Sequence, residues 1–187
     1  MRIISGNAPR GVISAGVYYP VRTDFKVWLE FAALLEEKDS ARAAARALRL
    51  CYKTKIPPDF GEALELLCEF FLGGERRQGS GRGGQVMSFV KDEGLIYASF
   101  YAEYGIDLVK AQMHWWQFLA LMRGLSSESA LMRVASVRAI KPSDIKNPAL
   151  RKRILEQKRI YAIDSREADV GGALSAMFAQ ETEAENG

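Results

Sequence analysis

Apolar residues recur at helical spacing along most of this chain and alternate only near its start. Val12-Ile13-Ser14 and the run from Val17 to Val21 flank Ala15-Gly16, which predicts a short β-hairpin. Pro20 lacks an N–H to donate and must then sit at a sheet edge. Phe25, Trp28, Leu29, Ala32 and Leu35 follow the i, i+3, i+4, i+7 pattern of a helix buried on one face. Thr23 is placed to cap it, with Asp24 in its first turn. Asp39-Ser40 interrupts the pattern, and an alanine- and leucine-rich helix is predicted over 41–52. Pro57-Pro58 stops it. Asp59, followed by Glu62, is an acidic capping box for a helix with Leu64, Leu67, Cys68 and Phe71 on its apolar side, ended by Gly73-Gly74.

The stretch GERRQGSGRGGQ has five glycines in twelve residues and predicts a flexible loop over 74–87. Helical order resumes after Ser88-Phe89. Asp92 can cap a helix carrying Ile96, Phe100 and Tyr104, and Gly105 suits the left-handed position after it. MHWWQFLALMRG forms the next helix, with His114 inside it and Gly124 as its stop. Ser126 or Ser127 opens a shorter helix holding Leu131, Val134 and Val137, broken by Pro142. Asn147-Pro148 starts the last, because asparagine caps well and proline fits the first helical position; it should run to about Tyr161. The expected fold is mainly α: a compact multi-helix domain over 12–163 with a short N-terminal hairpin. Residues 164–187 read as a loose acidic tail, with one helical turn near Leu174–Phe178.

Composition narrows the classes without naming an activity. At 187 residues, 48% hydrophobic and 26% charged, the chain is too apolar for a disordered protein and long enough to bury a core. Two cysteines, Cys51 and Cys68, fall in apolar helical patterns and lack zinc spacing, so they read as buried thiols. No signal peptide is evident, and no stretch approaches 18 continuous apolar residues. A cytoplasmic location fits best, with no membrane contact.

Charge is uneven. Residues 133–160 carry nine basic and two acidic groups, and residues 164–187 carry six acidic groups against Arg166. The basic segment invites a nucleic-acid test, since clustered cations displace counterions from phosphates together. Arg151, Lys152 and Arg153 are consecutive and spread around a helix instead of lining one face. No aromatic stacking pattern joins them, which argues against nucleic acid as a partner. Catalysis is poorly provisioned. His114 is the single histidine, set between Met113 and Trp115, and reads as a hydrogen-bonded packing residue. Gly79, Gly81 and Gly84 match GxGxxG, but a helix and two arginines precede them, and no lysine completes a phosphate loop. The chain therefore reads as non-enzymatic and without cofactor or metal.

The aromatic helix is the most informative local feature. Trp115, Phe118, Leu119 and Met122 share one face; Met113, Trp116 and Ala120 share a second. Two adjacent stripes mean either a fully packed central helix or a helix that also meets a partner. Met113, Trp116 and Ala120, with Arg151 and Arg153 on the basic helix, are the candidate partner-binding residues.

TDFKVWLEF at 23–31, LCYKTKIPPDFGEAL at 50–64, SFVKDEGLIYASFYAEYGIDL at 88–108 and HWWQFLALMRGL at 114–125 occur in this order. Together they resemble the bacteriophage gene-product-fifteen family of tailed phages and prophages, over roughly residues 12–163. The resemblance implies a small tail-gene product, of a kind encoded between the major tail protein and the tape-measure protein of long-tailed phages. It further implies a tail-assembly chaperone acting in the bacterial host cytoplasm. Such a chaperone holds the tape-measure protein soluble, with other tail proteins as further partners. A structural tail or virion component and a nucleic-acid-binding regulator using helix 147–161 are the alternatives. Self-association is also open, since exposed aromatics encourage it.

Overall fold

A computed structural model describes residues 7–37, 40–74 and 86–163. The core of the glycine-rich stretch, 75–85, and the whole acidic tail, with its expected turn at Leu174–Phe178, lie outside the described residues. Among the described residues the protein is mainly helical, with a two-stranded antiparallel hairpin at its start. No helix among them is long and apolar enough to cross a membrane. The chain gathers into two compact units, Met1–Gln78 with Leu108–Gly124, and Gly79–Asp107 with Leu125–Gly187.

The first unit opens with strands β1 (Gly11–Ser14) and β2 (Val17–Pro20), paired with Gly11 opposite Pro20 and Ser14 opposite Val17. Ala15 and Gly16 both have positive φ, 46° and 76°. That is the backbone of the two-residue hairpin turn whose twist matches the strands. Helices α1 (Phe25–Leu35), α2 (Ser40–Cys51), α3 (Phe60–Phe71) and α5 (Trp115–Arg123) complete the unit. Asp24, not Thr23, caps α1, because its carboxylate accepts from the Lys26 N–H at 2.9 Å. Asp59 caps α3 through the Glu62 N–H at 3.0 Å, as the sequence predicts. α2 ends at Cys51, before the prolines, because Tyr52 leaves the helix to bridge Val21.

The core of this unit is aromatic. Trp28 is fully buried, and its ring lies 4.7 Å from Phe70, 5.3 Å from Phe31 and 6.4 Å from Trp115. Phe25 stacks on Phe118 at 5.1 Å. Cys51 is buried in the same unit, and burial pushes its thiol well above the ordinary range; Cys68 is only half-buried.

The second unit holds α4 (Glu93–Tyr104), α6 (Ala130–Ala139), a single 3-10 turn at Pro142–Asp144, and α7 (Pro148–Ile160). Ser129, not Ser126 or Ser127, caps α6 by accepting from the Met132 N–H. Ser126 is engaged instead by Glu103 at 2.7 Å. Gly105 adopts the left-handed conformation, and Asn147 caps α7, both as expected. Met87, at the end of the expected loop, is buried. Asp92 precedes α4, but its carboxylate makes no cap. It accepts a bidentate pair from Arg138 at 2.6 and 2.8 Å, and the Ser88 N–H at 2.9 Å. Both side chains are nearly inaccessible. Arg138 also donates to the carbonyls of Val86 and Tyr161, so one guanidinium ties the entry to α4, the last turn of α6 and the end of α7.

Two expectations follow. Ala15→Asn should raise stability by up to about 1 kcal/mol, read as a higher thermal midpoint, since asparagine tolerates the left-handed turn position better than alanine. Arg138→Met should cost about 3–5 kcal/mol by stranding a buried carboxylate. Asp92→Leu combined with it should cost less than the two single changes together, as a denaturant-based double-mutant cycle would measure.

Candidate functional site

HWWQ at 114–117 opens the aromatic helix, and each of the four side chains is hydrogen-bonded within the fold. His114 is not inside α5 but is its N-cap. Its Nδ1 accepts from the Trp116 N–H at 3.0 Å, while the Gln117 Oε1 accepts from the His114 N–H at 3.0 Å. The other ring nitrogen, Nε2, donates to the Pro9 carbonyl at 2.8 Å. This assignment requires the neutral ring, with the proton on Nε2. Both nitrogens are thus engaged in holding chain, which is the packing role the sequence suggested. Burial holds the imidazole below its ordinary pKa, opposed by the bond to Pro9, with Arg10 nearby acting in the same direction as burial.

The two tryptophans close another helix. Trp115 Nε1 donates to the Phe71 carbonyl at 2.8 Å, and Trp116 Nε1 donates to the Phe70 carbonyl at 2.9 Å. Both carbonyls belong to the last turn of α3, and that of Phe70 also accepts from the Gly73 N–H at 3.1 Å. Gly73 and Gly74 turn the chain away there with φ of 76° and 83°, and a Cβ on Gly74 would stand 3.1 Å from the Trp116 ring. The starts of α1 and α5 are joined as well: Phe25 N–H donates to Met113 at 3.1 Å and Trp115 N–H to Thr23 at 2.7 Å.

A cleft of about 420 Å³ lies beside this junction, lined by Ala8, Arg10, Thr23, Asp24, Gln112, Met113, His114 and Gln117. Its carboxylate, imidazole and Gln117 amide oxygen are the groups already bonded to backbone. Among the described residues, no three His, Cys, Asp or Glu side chains gather closely enough to hold a metal ion.

Of the partner-binding candidates, Met113 is half-buried at the cleft, Trp116 is 8% exposed and spent on α3, and Ala120 is exposed. The second stripe therefore does not present one continuous surface. Trp116 turns inward because its indole N–H finds a carbonyl partner there.

Arg151 and Arg153 stand on α7, which buries no residue. Arg151 is bound to its own turn: Nε and Nη2 donate to the Ile145 carbonyl at 3.1 and 2.6 Å. Lys158 donates to the Arg138 and Ile140 carbonyls at the end of α6, and partial burial lowers its amine below the usual value. With Arg138 held by Asp92, three of the nine cations in 133–160 are committed to internal partners. Lys152, Arg153 and Arg159 remain exposed, beside the exposed apolar side chains Leu155 and Ile160. Lys152 and Arg159, seven residues apart, share one side, with Arg153 about 100° round from Lys152. Of the two cations singled out from the sequence, Arg151 is thus engaged by its own chain and Arg153 is exposed. The side chains that α7 lends back to the body could be found only from tertiary contacts.

Residues 9–163 match the family described as bacteriophage Gp15 protein. The chain belongs to this family. The match begins at Pro9, whose carbonyl His114 holds, and ends at Ile163, just beyond the clamp on Tyr161. It takes in both compact units of the described fold. The first four residues of the HWWQFLALMRGL segment, one of those that carry the resemblance to the Gp15 family, thus serve the architecture of this member. No curated protein and no solved structure matches the chain.

The His114 geometry gives a pH expectation. A folded-state pKa below the unfolded value means the unfolded chain binds the proton more readily. The contribution is fully present above the unfolded value near 6.5 and is lost as pH falls below it. Denaturant midpoints should therefore drop between pH 7 and 5. His114→Asn, which keeps a capping side chain, should flatten that part of the profile.

Proposed function

We propose that this Gp15-family protein is a phage tail-assembly factor, a non-catalytic chaperone that keeps the tape-measure protein soluble in the host cytoplasm while tail-tube subunits polymerise. Family membership carries the reading. The family resemblance implies a gene product encoded beside the tape measure. The exposed side of α7 is compatible with such a role. Lys152, Arg153 and Arg159 next to Leu155 and Ile160 offer cations and apolar area together, the combination that suits an amphipathic, acidic helix of a client.

Co-expression with the neighbouring tape-measure protein tests this directly. The client should move into the soluble fraction and co-purify. Replacing Lys152, Arg153 and Arg159 together by glutamate should reduce capture without lowering the thermal midpoint, because none of the three has a hydrogen-bond or ion-pair partner among the described residues. Persistent insolubility of the client would sink the chaperone reading. A fixed copy number of this chain in purified particles, by mass spectrometry, would establish a structural tail component instead.

A further inference from the structure

The outward face of α4 is an apolar surface that the described fold leaves open. From Gly94 to Ala102 the helix carries no charged residue. Its inner side chains, Ile96, Ser99 and Phe100, are buried. The opposite side shows Tyr97 at 37% and Tyr101 at 58% exposure, stacked on each other at 6.1 Å, with exposed Ala98 and Ala102 between and beyond them. Solvated helix faces ordinarily carry charge, so a helix apolar all round is one expected to be covered.

The course of the chain identifies the cover. Lys91, one turn ahead of this face, donates to the carbonyl of Ala162, and Arg138 holds Tyr161 beside it. The chain therefore leaves the described structure, at Ile163, next to the start of α4. Beyond it, acidic residues stand at 164–169 and 181–185, but Val170–Gln180 is uncharged. Within that stretch Leu174, Met177 and Phe178 have the i, i+3, i+4 spacing of one apolar helical face. Ten residues separate Ile163 from Leu174 and reach about 33 Å when extended, whereas α4 is about 18 Å long. The tether also holds the segment at high effective concentration, which a free partner lacks.

We propose that the outward face of α4 is a docking surface for this chain's own segment 173–178, with Leu174, Met177 and Phe178 against Tyr97, Ala98 and Tyr101. The uncharged centre of the tail enters the contact, and its acidic flanks stay in water. Phenylalanine and methionine are suited to tyrosine faces through ring packing and sulfur–aromatic contact. The proposal stands independently of the client's identity.

The test uses the full chain and two variants, Ala98→Arg on the exposed helix face and Leu174→Asp in the tail. In the unaltered chain, nuclear Overhauser contacts should join the Tyr97 and Tyr101 rings to Leu174, Met177 and Phe178. They should survive dilution and disappear in either variant. Chymotryptic cleavage after Phe178 should be about tenfold slower in the unaltered chain than in either variant, since cutting tracks the undocked population. Leu174→Asp lies outside the described core and keeps the test valid should Ala98→Arg disturb folding. Absent contacts with equal cleavage rates would overturn the proposal. So would a concentration-dependent dimer, dispersed by Ala98→Arg and not by Leu174→Asp, which would make a second copy the occupant.

Discussion

The larger unit depends on how the end of α3 is satisfied. A helix that stops inside a packed core leaves carbonyls without partners, and each buried orphan costs about 1–3 kcal/mol. Here the Phe71 carbonyl receives the indole N–H of Trp115, and the Phe70 carbonyl, which already accepts the Gly73 N–H, receives that of Trp116 as a second donor. Adjacent residues in a helix point about 100° apart. Two neighbouring tryptophans can reach two neighbouring carbonyls only if α5 starts beside the end of α3. His114 fixes that start from the other side, through its cap on α5 and its bond to Pro9. The aromatic core around Trp28 and Phe118 is assembled on this frame.

The second unit solves the same problem with charge. Asp92 and Arg138 are buried together, and the pair is tolerated because the bonds are bidentate and the remaining polar atoms reach backbone groups of Ser88, Val86 and Tyr161. Lys158 adds a similar service at the end of α6. These cations come from the segment whose net charge first suggested an anionic partner. On α7 the cations Lys152, Arg153 and Arg159 stay exposed. Within the HWWQFLALMRGL segment, His114, Trp115, Trp116 and Gln117 are all hydrogen-bonded within the fold.

The sequence by itself determined what local chemistry controls. Asp59, Asn147-Pro148, Gly73-Gly74 and Gly105 set helix boundaries through bonds and dihedrals within three or four residues, and those boundaries stand. Helical periodicity likewise gave the mainly α fold, and Ala15-Gly16 the hairpin. The misplaced caps at Thr23 and Ser126 arose where two candidates were adjacent or close, and only the packed chain chose between them. Tertiary structure alone decided the fate of long-range polar groups. Asp92 has the position of a cap, but Arg138 lies 46 residues away and outcompetes it. Trp116 sits on what reads as an outward stripe, yet a carbonyl 46 residues earlier draws it in. Hydrogen-bond partners so distant leave no trace in spacing, because periodicity records which face is apolar and not which buried polar atom needs a donor.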